Sequence, residues 1–311
     1  MSYNFDEIID RRHTNALNTD GFRGYIFHAD ADKKFPYKDE EFVRMWVADM
    51  EFGTAPEIIE ALHERVDRRI FGYTALYDDR YYNAFSAWCK GHYDWSFPKE
   101  ELCITPGIIP ALYSLTEILC TADEKVLVNT PAYGYFAHAA EYAGVGILTS
   151  PLHKNPDGVF EADFDDFEAK CADPACKLVL WCNPQNPTGR MWTEGELSRA
   201  AEIIRKYDLW VVSDEIHCDL IRCGRRHIPL AKVMADYPKL ITCMAPTKTF
   251  NLAGLAFSNI IIRDEALRER FRRRDKLSGD VNPLSLTAAT AAYERGGEWH
   301  EALKAYLDGN F

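Results

Sequence analysis

Short, almost unbroken apolar runs alternate along this chain with longer stretches whose apolar residues recur every three or four positions. The runs at 177–182, 209–213 and 240–244 have the length and composition of buried strands. Those at 125–129 and 258–263 read the same way. Helical spacing begins at Pro56, a residue suited to a first turn, and continues through Ile58, Ile59, Leu62, Val66 and Ile70. Helices are also expected over 79–91, 107–120 and 133–143, and Thr193-Glu-Gly-Glu196 is a capping box opening another that runs to about Tyr207. After the last strand the pattern is helical, over 265–277, 283–295 and 298–307. Helices interleaved with buried strands predict an α/β three-layer domain from about residue 50 to 285. Residues 1–45 are polar and read as an arm with a small amount of structure.

Three of the apolar runs are each followed at once by a polar cluster. Asn183 opens Asn-Pro-Gln-Asn-Pro-Thr-Gly, Asp214 opens Asp-Glu-Ile-His, and Lys248 sits in Ala-Pro-Thr-Lys-Thr-Phe-Asn-Leu-Ala-Gly-Leu. An amide, a carboxylate and an amine are thus expected at the ends of three successive strands, the edge where open α/β sheets bind ligands. Pyridoxal phosphate (PLP) needs this set. An imine-forming lysine must lose a proton that it normally holds up to a pKa of about 10.4, which burial and a nearby cationic ring assist. A buried carboxylate wants a cationic partner, and the ring nitrogen of PLP supplies one. The two prolines and the glycine after Asn183 make a rigid turn that can hold an amide against a ring oxygen.

The phosphate would need amides at a helix N-terminus, and Thr105-Pro-Gly-Ile-Ile places Gly107 where a backbone can approach closely. Tyr133, in Thr-Pro-Ala-Tyr, could lay its ring on a cofactor face. Each feature alone has a plainer reading. Lys248 could be a surface lysine, Asp214 a helix N-cap, the Gly107 turn an ordinary strand-to-helix connection, Tyr133 a core residue, and Glu215 structural or solvated.

Composition narrows the partners. Lys and Arg total 36 against 48 Asp and Glu, a net charge of −12 that argues against a nucleic-acid groove or an anionic membrane. The basic run from Arg268 to Lys276 is expected to be a solvated helix face. The start lacks a basic region followed by an apolar one, so no secretory signal is read, and no apolar stretch approaches the roughly 18–20 residues of a membrane span. Nine cysteines without a CxxC pair suggest reduced thiols in a cytoplasm. The nine histidines show no metal-ligand spacing, so no metal site is expected. No G-x-G-x-x-G follows a predicted strand, which disfavours a nicotinamide dehydrogenase.

The three clusters together resemble the fold-type I PLP enzymes, the aspartate aminotransferase superfamily, and within it the cystathionine β-lyase or C–S lyase branch. Supporting strings are Phe-Asp-Glu-Ile-Ile-Asp-Arg-Arg at 5–12, Trp-Val-Ala-Asp-Met-Glu-Phe at 46–52, Phe-Gly-Tyr-Thr at 71–74 and Thr-Pro-Gly-Ile-Ile-Pro-Ala-Leu at 105–112. The resemblance implies a three-layer α/β/α large domain with a mostly parallel seven-stranded sheet, over 49–285. Residues 1–48 would be the arm and part of a small domain, and 286–311 the start of its C-terminal part. Lys248 would carry PLP, Asp214 hold the pyridine nitrogen, Asn183 meet the ring oxygen and Tyr133 stack on the ring. Gly107, Ile108 and Ile109 would bind phosphate through their amides, with Thr247 as a hydroxyl donor. Tyr73 would reach the phosphate of a second subunit in a homodimer. His217 stands where transaminases usually have Tyr, a mark of the lyase branch, and Ala48 would line the substrate side.

Several positions depart from the family pattern. Gln185 replaces a His, Asn18-Thr19 a Lys-Trp pair, Ala245 a Ser, and Ala256 a phosphate-binding Arg. Relatives also continue past the position of Phe311 for roughly another quarter of this length, as a small domain holding an arginine for the substrate carboxylate. The expectation is a truncated chain with a complete cofactor site and an incomplete substrate site. The activity implied is β-elimination of cysteine S-conjugates. The rivals are an aminotransferase and a PLP-binding protein that regulates or does not turn over.

Overall fold

The computed structural model describes residues 3–30, 32–274 and 280–311 and divides into two compact units, Met1–Thr54 and Ala55–Phe311. In the first, helix α1 (Phe22–Phe27) turns Phe22 and Phe27 onto Phe42 and Trp46, with Phe22 stacked on Trp46 at 5.4 Å. Asp49 accepts from Arg11 at 2.7 Å and from Asn18 at 3.0 Å, which ties the two ends of the arm together. Rings scattered among polar residues thus build a small core that no regular period announces.

The second unit is a sheet covered by helices. Its strands are β1 (Leu102–Thr105), β2 (Lys125–Thr130), β3 (Gly146–Lys154), β4 (Phe160–Ala162), β5 (Cys176–Cys182), β6 (Trp210–Asp214), β7 (Leu240–Met244) and β8 (Ser258–Ile262). The helices begin with α2 (Pro56–Asp67), α3 (Arg80–Tyr93), α4 (Ile108–Leu119), α5 (Gly134–Ala143), α6 (Phe164–Cys171) and α7 (Glu194–Lys206). They end with α8 (Leu230–Val233), α9 (Pro246–Thr249), α10 (Glu265–Arg274), α11 (Pro283–Arg295) and α12 (Gly297–Gly309).

The strand order is β1-β8-β7-β6-β5-β2-β3-β4. Strands β3, β2, β5, β6 and β7 run parallel, while β8 is antiparallel to β7 and β1 to β8. Two reversals restore direction, so β1 points the same way as β7. The expected seven-stranded sheet gains an eighth member, β4, antiparallel to β3. Three residues, with Glu161 exposed between half-buried Phe160 and Ala162, are too few to show a strand period, and the hairpin is made by Asn155, whose Oδ1 accepts from Asp157 at 3.0 Å and Val159 at 2.9 Å. The central strands are continuous apolar runs because both faces are covered: β7 and β8 are buried at every position.

The capping box is present, with Thr193 Oγ1 accepting from the Glu196 amide at 3.2 Å and Glu196 accepting from the Thr193 amide at 2.8 Å. Arg270, Arg272, Arg273 and Arg274 of the basic run are exposed, as expected, and Arg268 departs from that face. Arg268 is buried and donates to the carbonyls of Ile262 and Arg263 at 2.9 and 3.1 Å. Arg270 and Arg272 donate to the Ile118 and Glu100 carbonyls. The carbonyls of Ile262 and Arg263, at the end of β8, draw the Arg268 guanidinium in. Lys276 lies outside the described residues. Within the second unit α11 packs on α2 and α3. Buried Ala288, Ala289, Ala291 and Ala292 make that close approach possible.

Glu215 is fully buried and structural. It accepts from Ser213 at 2.8 Å and the Leu230 amide at 3.0 Å, and pairs with His227 at 2.6 Å. Glu215→Ala should therefore lower unfolding stability in urea by about 3 kcal/mol, because three buried partners lose their acceptor at once. A change within experimental error would contradict this account.

Candidate functional site

Parallel register carries the site. Cys182, Asp214 and Cys243 are aligned across β5, β6 and β7. The next backbone bonds continue the ladder, Asn183 amide to Asp214 carbonyl at 2.9 Å and Glu215 amide to Cys243 carbonyl at 2.8 Å. The carboxyl ends of three strands therefore finish level, and Asn183, Asp214 and the Lys248 turn come together there. Gly107, Ile108 and Ile109 follow β1, and Tyr133 follows β2, so the strand directions bring them to the same edge.

Asp214 is buried, and no helix follows it, so it is not an N-cap. Its Oδ1 takes the Ile216 amide at 3.2 Å. Burial pushes its carboxyl up to about 7, the Ile216 amide opposes this, the neighbouring Glu215 adds to it, and the Lys248 charge pulls it back. His217 lies in the same turn. Burial first, and then the Lys248 charge, push it down to about 4, so its imidazole is neutral near pH 7. Lys248 stands half-buried on α9, a single turn opened by Pro246 and closed by the Phe250 amide on the Pro246 carbonyl at 2.9 Å. Thr247 beside it is buried.

Asn183 is almost wholly buried, and one of its amide hydrogens goes to the Ile228 carbonyl at 3.0 Å. That bond fixes the amide plane and leaves a second N–H to donate. Gln185, where a His was the family pattern, has a local explanation: it donates to the Pro131 carbonyl at 2.6 Å and accepts from the Thr188 amide at 3.0 Å. It thus ties the Asn-Pro turn to the segment that leads to Tyr133. The Tyr133 ring meets Tyr135 at 5.3 Å and Phe136 edge-on at 6.3 Å. Gly107 caps α4, and a Cβ there would come within 3.3 Å of Pro110, so a side chain would crowd the helix start. The amides of Ile108 and Ile109 lie in the first turn of α4, where N–H groups have no acceptor within their own helix.

Tyr73 and Ala48 are the remaining expected residues. Tyr73 is 97% exposed. Ala48 is in the first unit, exposed. A cleft of about 550 Å³ opens beside His217, lined also by Pro184, Asn186, Met191, Leu220 and Arg222. Sequence reasoning missed Asp219, a buried acid five residues after Asp214. Its only signal was a third carboxylate, after Asp214 and Glu215, in a short stretch that also holds Ile216, Cys218 and Leu220.

These residues fit PLP: a desolvated carboxylate suited to a protonated ring nitrogen, an oriented amide, a half-buried amine, and free amides at a helix start. Among the described residues, His92, His300 and Glu301 bring ligand atoms within 4.8 Å of one another. Lys304 already holds Glu301 at 2.7 Å, and His300 Nε2 lies 2.7 Å from the Asp219 carbonyl. All nine cysteines are free, and no described helix is long and apolar enough to cross a membrane.

The family model for aminotransferase class I and II matches residues 41–307. The chain belongs to that family. Cystathionine beta-lyase PatB of Bacillus subtilis is 40% identical over 270 residues, 86% of this chain and 69% of PatB. MalY of Escherichia coli is 32% identical over 312 residues, 99% of this chain and 76% of MalY. The PLP-bound C–S lyase of Staphylococcus hominis superposes with a TM-score of 0.93 at 44% identity, over all of this chain and 75% of that one. Cystalysin from Treponema denticola, a structure containing PLP, gives 0.90 at 32% identity, over all of this chain and 77% of that one. The resemblance to fold-type I PLP enzymes, down to the C–S lyase branch, is therefore borne out, and this chain is shorter than its relatives.

The elevated Asp214 carboxyl makes a prediction for the cofactor-free protein. The folded value, about 7, lies above the ordinary 3.8, so the folded state holds a proton that the unfolded chain releases first. Stability from this group is full at low pH and declines as pH rises towards 7. Asp214→Asn, which does not titrate, should match the unsubstituted protein near pH 4 and exceed it by on the order of 3 kcal/mol above pH 7. Urea unfolding at a series of pH values measures the difference; a flat difference contradicts the assignment.

Proposed function

We propose that this chain binds PLP and catalyses β-elimination on cysteine S-conjugates such as cystathionine, giving pyruvate, ammonia and a thiol. The observation that carries the reading is Asp214, a desolvated carboxylate held level between Asn183 and the Lys248 turn. The names of its relatives favour carbon–sulfur cleavage over amino transfer. When bound, PLP supplies an electron sink for the pair left at the substrate Cα.

The chain's own residues do the rest. Asp214 keeps a proton on the ring nitrogen, and the second N–H of Asn183 donates to the ring oxygen. The amides of Gly107, Ile108 and Ile109, with the Thr247 hydroxyl, hold the phosphate. Tyr133 covers one ring face. The Lys248 amine takes the Cα proton as general base. Neutral His217 bonds on the ring-oxygen side without adding charge. As the Cβ–S bond breaks, its electron pair leaves on sulfur, and water completes pyruvate and ammonia.

A second copy of the chain completes the site. Tyr73, with Ile70, Phe71 and Tyr77, forms an exposed aromatic and apolar segment, which in this reading is covered by the partner, with Tyr73 reaching the partner's phosphate. Ala48 lines the substrate side.

Incubating the protein with PLP and cystathionine should release pyruvate and thiol in equal amounts. Lys248→Ala should lower that rate by roughly a thousandfold or more, the scale of losing a positioned base. Amino transfer that depends on an added keto acid, without thiol release, would overturn the lyase reading in favour of an aminotransferase. PLP uptake with neither activity would make the chain a binding protein.

A further inference from the structure

The buried carboxylate of Asp219 joins the two turns that carry Asp214 and Lys248. Asp219 ends the turn that begins at Asp214 and passes through His217, and it is only 6% exposed. Its Oδ2 accepts from Thr249 Oγ1 at 2.6 Å, and fully buried Thr249 is the residue next to Lys248. Its Oδ1 accepts from Trp88 Nε1 at 2.9 Å and from the Tyr93 hydroxyl, both on α3. Burial raises the Tyr93 phenol well above its ordinary value, which keeps that hydroxyl a donor. The Asp219 backbone carbonyl meets His300 Nε2 of α12 at 2.7 Å.

A four-residue helix has too few internal bonds to set its own orientation. The direction of α9 must come from what its side chains grip. Thr249 grips Asp219, and Phe250 packs against Trp88 at 5.6 Å and Trp299 at 5.8 Å. The aromatic packing is non-directional, whereas the Thr249–Asp219 bond fixes a distance between two strand ends.

We propose that Asp219 is a positioning residue, which through Thr249 sets where the Lys248 amine stands relative to Asp214 and His217. Its catalytic consequence rests on the PLP reading; the geometric tie does not.

Thr249→Val keeps the side-chain shape and removes the hydroxyl, and Thr249→Ser keeps the hydroxyl. In cofactor-free protein, the reactivity of Lys248 towards an amine-labelling reagent can be followed by mass spectrometry between about pH 7 and 10. Thr249→Val should change the Lys248 labelling rate about threefold or more, with circular dichroism unaltered, and Thr249→Ser should restore it. In the PLP-loaded enzyme, Thr249→Val should lower kcat about tenfold with KM changed less than about twofold, since misplacement of about an ångström costs rate more than binding. Should Thr249→Val not fold, Tyr93→Phe removes a different donor from Asp219 and should shift Lys248 labelling in the same direction by about twofold. If the folded variants label and turn over like the unsubstituted protein, the inference is overturned. If the unsubstituted chain takes up no PLP, the functional reading fails, and the labelling experiment still decides the role of Asp219.

Discussion

The candidate site depends on a carboxylate kept out of water at the end of a parallel strand. Asp214 is paired in register with Cys182 on one side and Cys243 on the other, so neither its height nor its direction can drift without breaking two ladders. Burial raises its carboxyl to about 7, and ionisation there calls for a cation placed at the same edge. Lys248 contributes charge from the neighbouring turn, and that same charge helps keep His217 neutral. Burial and the Lys248 charge thus set the protonation of both Asp214 and His217.

Two further acids in the same stretch show how differently burial can be resolved. Glu215 meets Ser213, the Leu230 amide and His227, and Asp219 meets Thr249, Trp88 and Tyr93. Both are bonded into the frame by side chains from several elements. Asp214 instead takes a local amide and faces the edge. Strand alternation contributes to this split: successive residues at the end of β6 point to opposite faces of the sheet. Glu215 therefore meets the helices, while Asp214 faces the edge shared with Asn183 and Lys248.

Much of this was legible without coordinates. Continuous apolar runs identified β5, β6, β7 and β8 to within a residue or so, because strands covered on both faces are mostly apolar along their whole length. Thr193 and Glu196 announced α7 because a capping box is a local event. Strands β1 and β4 were missed because so few residues show no period, and β3 because its outer positions are exposed. Arg268 was misjudged because a run of basic residues looks solvated until the carbonyls of Ile262 and Arg263 are seen within reach.

The order of Asn183, Asp214 and Lys248 after three apolar runs was enough to name the family and its cofactor chemistry, since each motif is contiguous and each strand end is set by local composition. The sequence could not say that these ends are level, since inter-strand register arises only when β5, β6 and β7 pair. Nor could it show that Thr249 grips Asp219 across 30 residues of chain, that α11 closes on α2 and α3, or that Gln185 braces the loop before Tyr133. Those contacts join distant segments, and their partners are chosen by packing. Residue chemistry was written locally; the alignment of that chemistry was decided by the sheet.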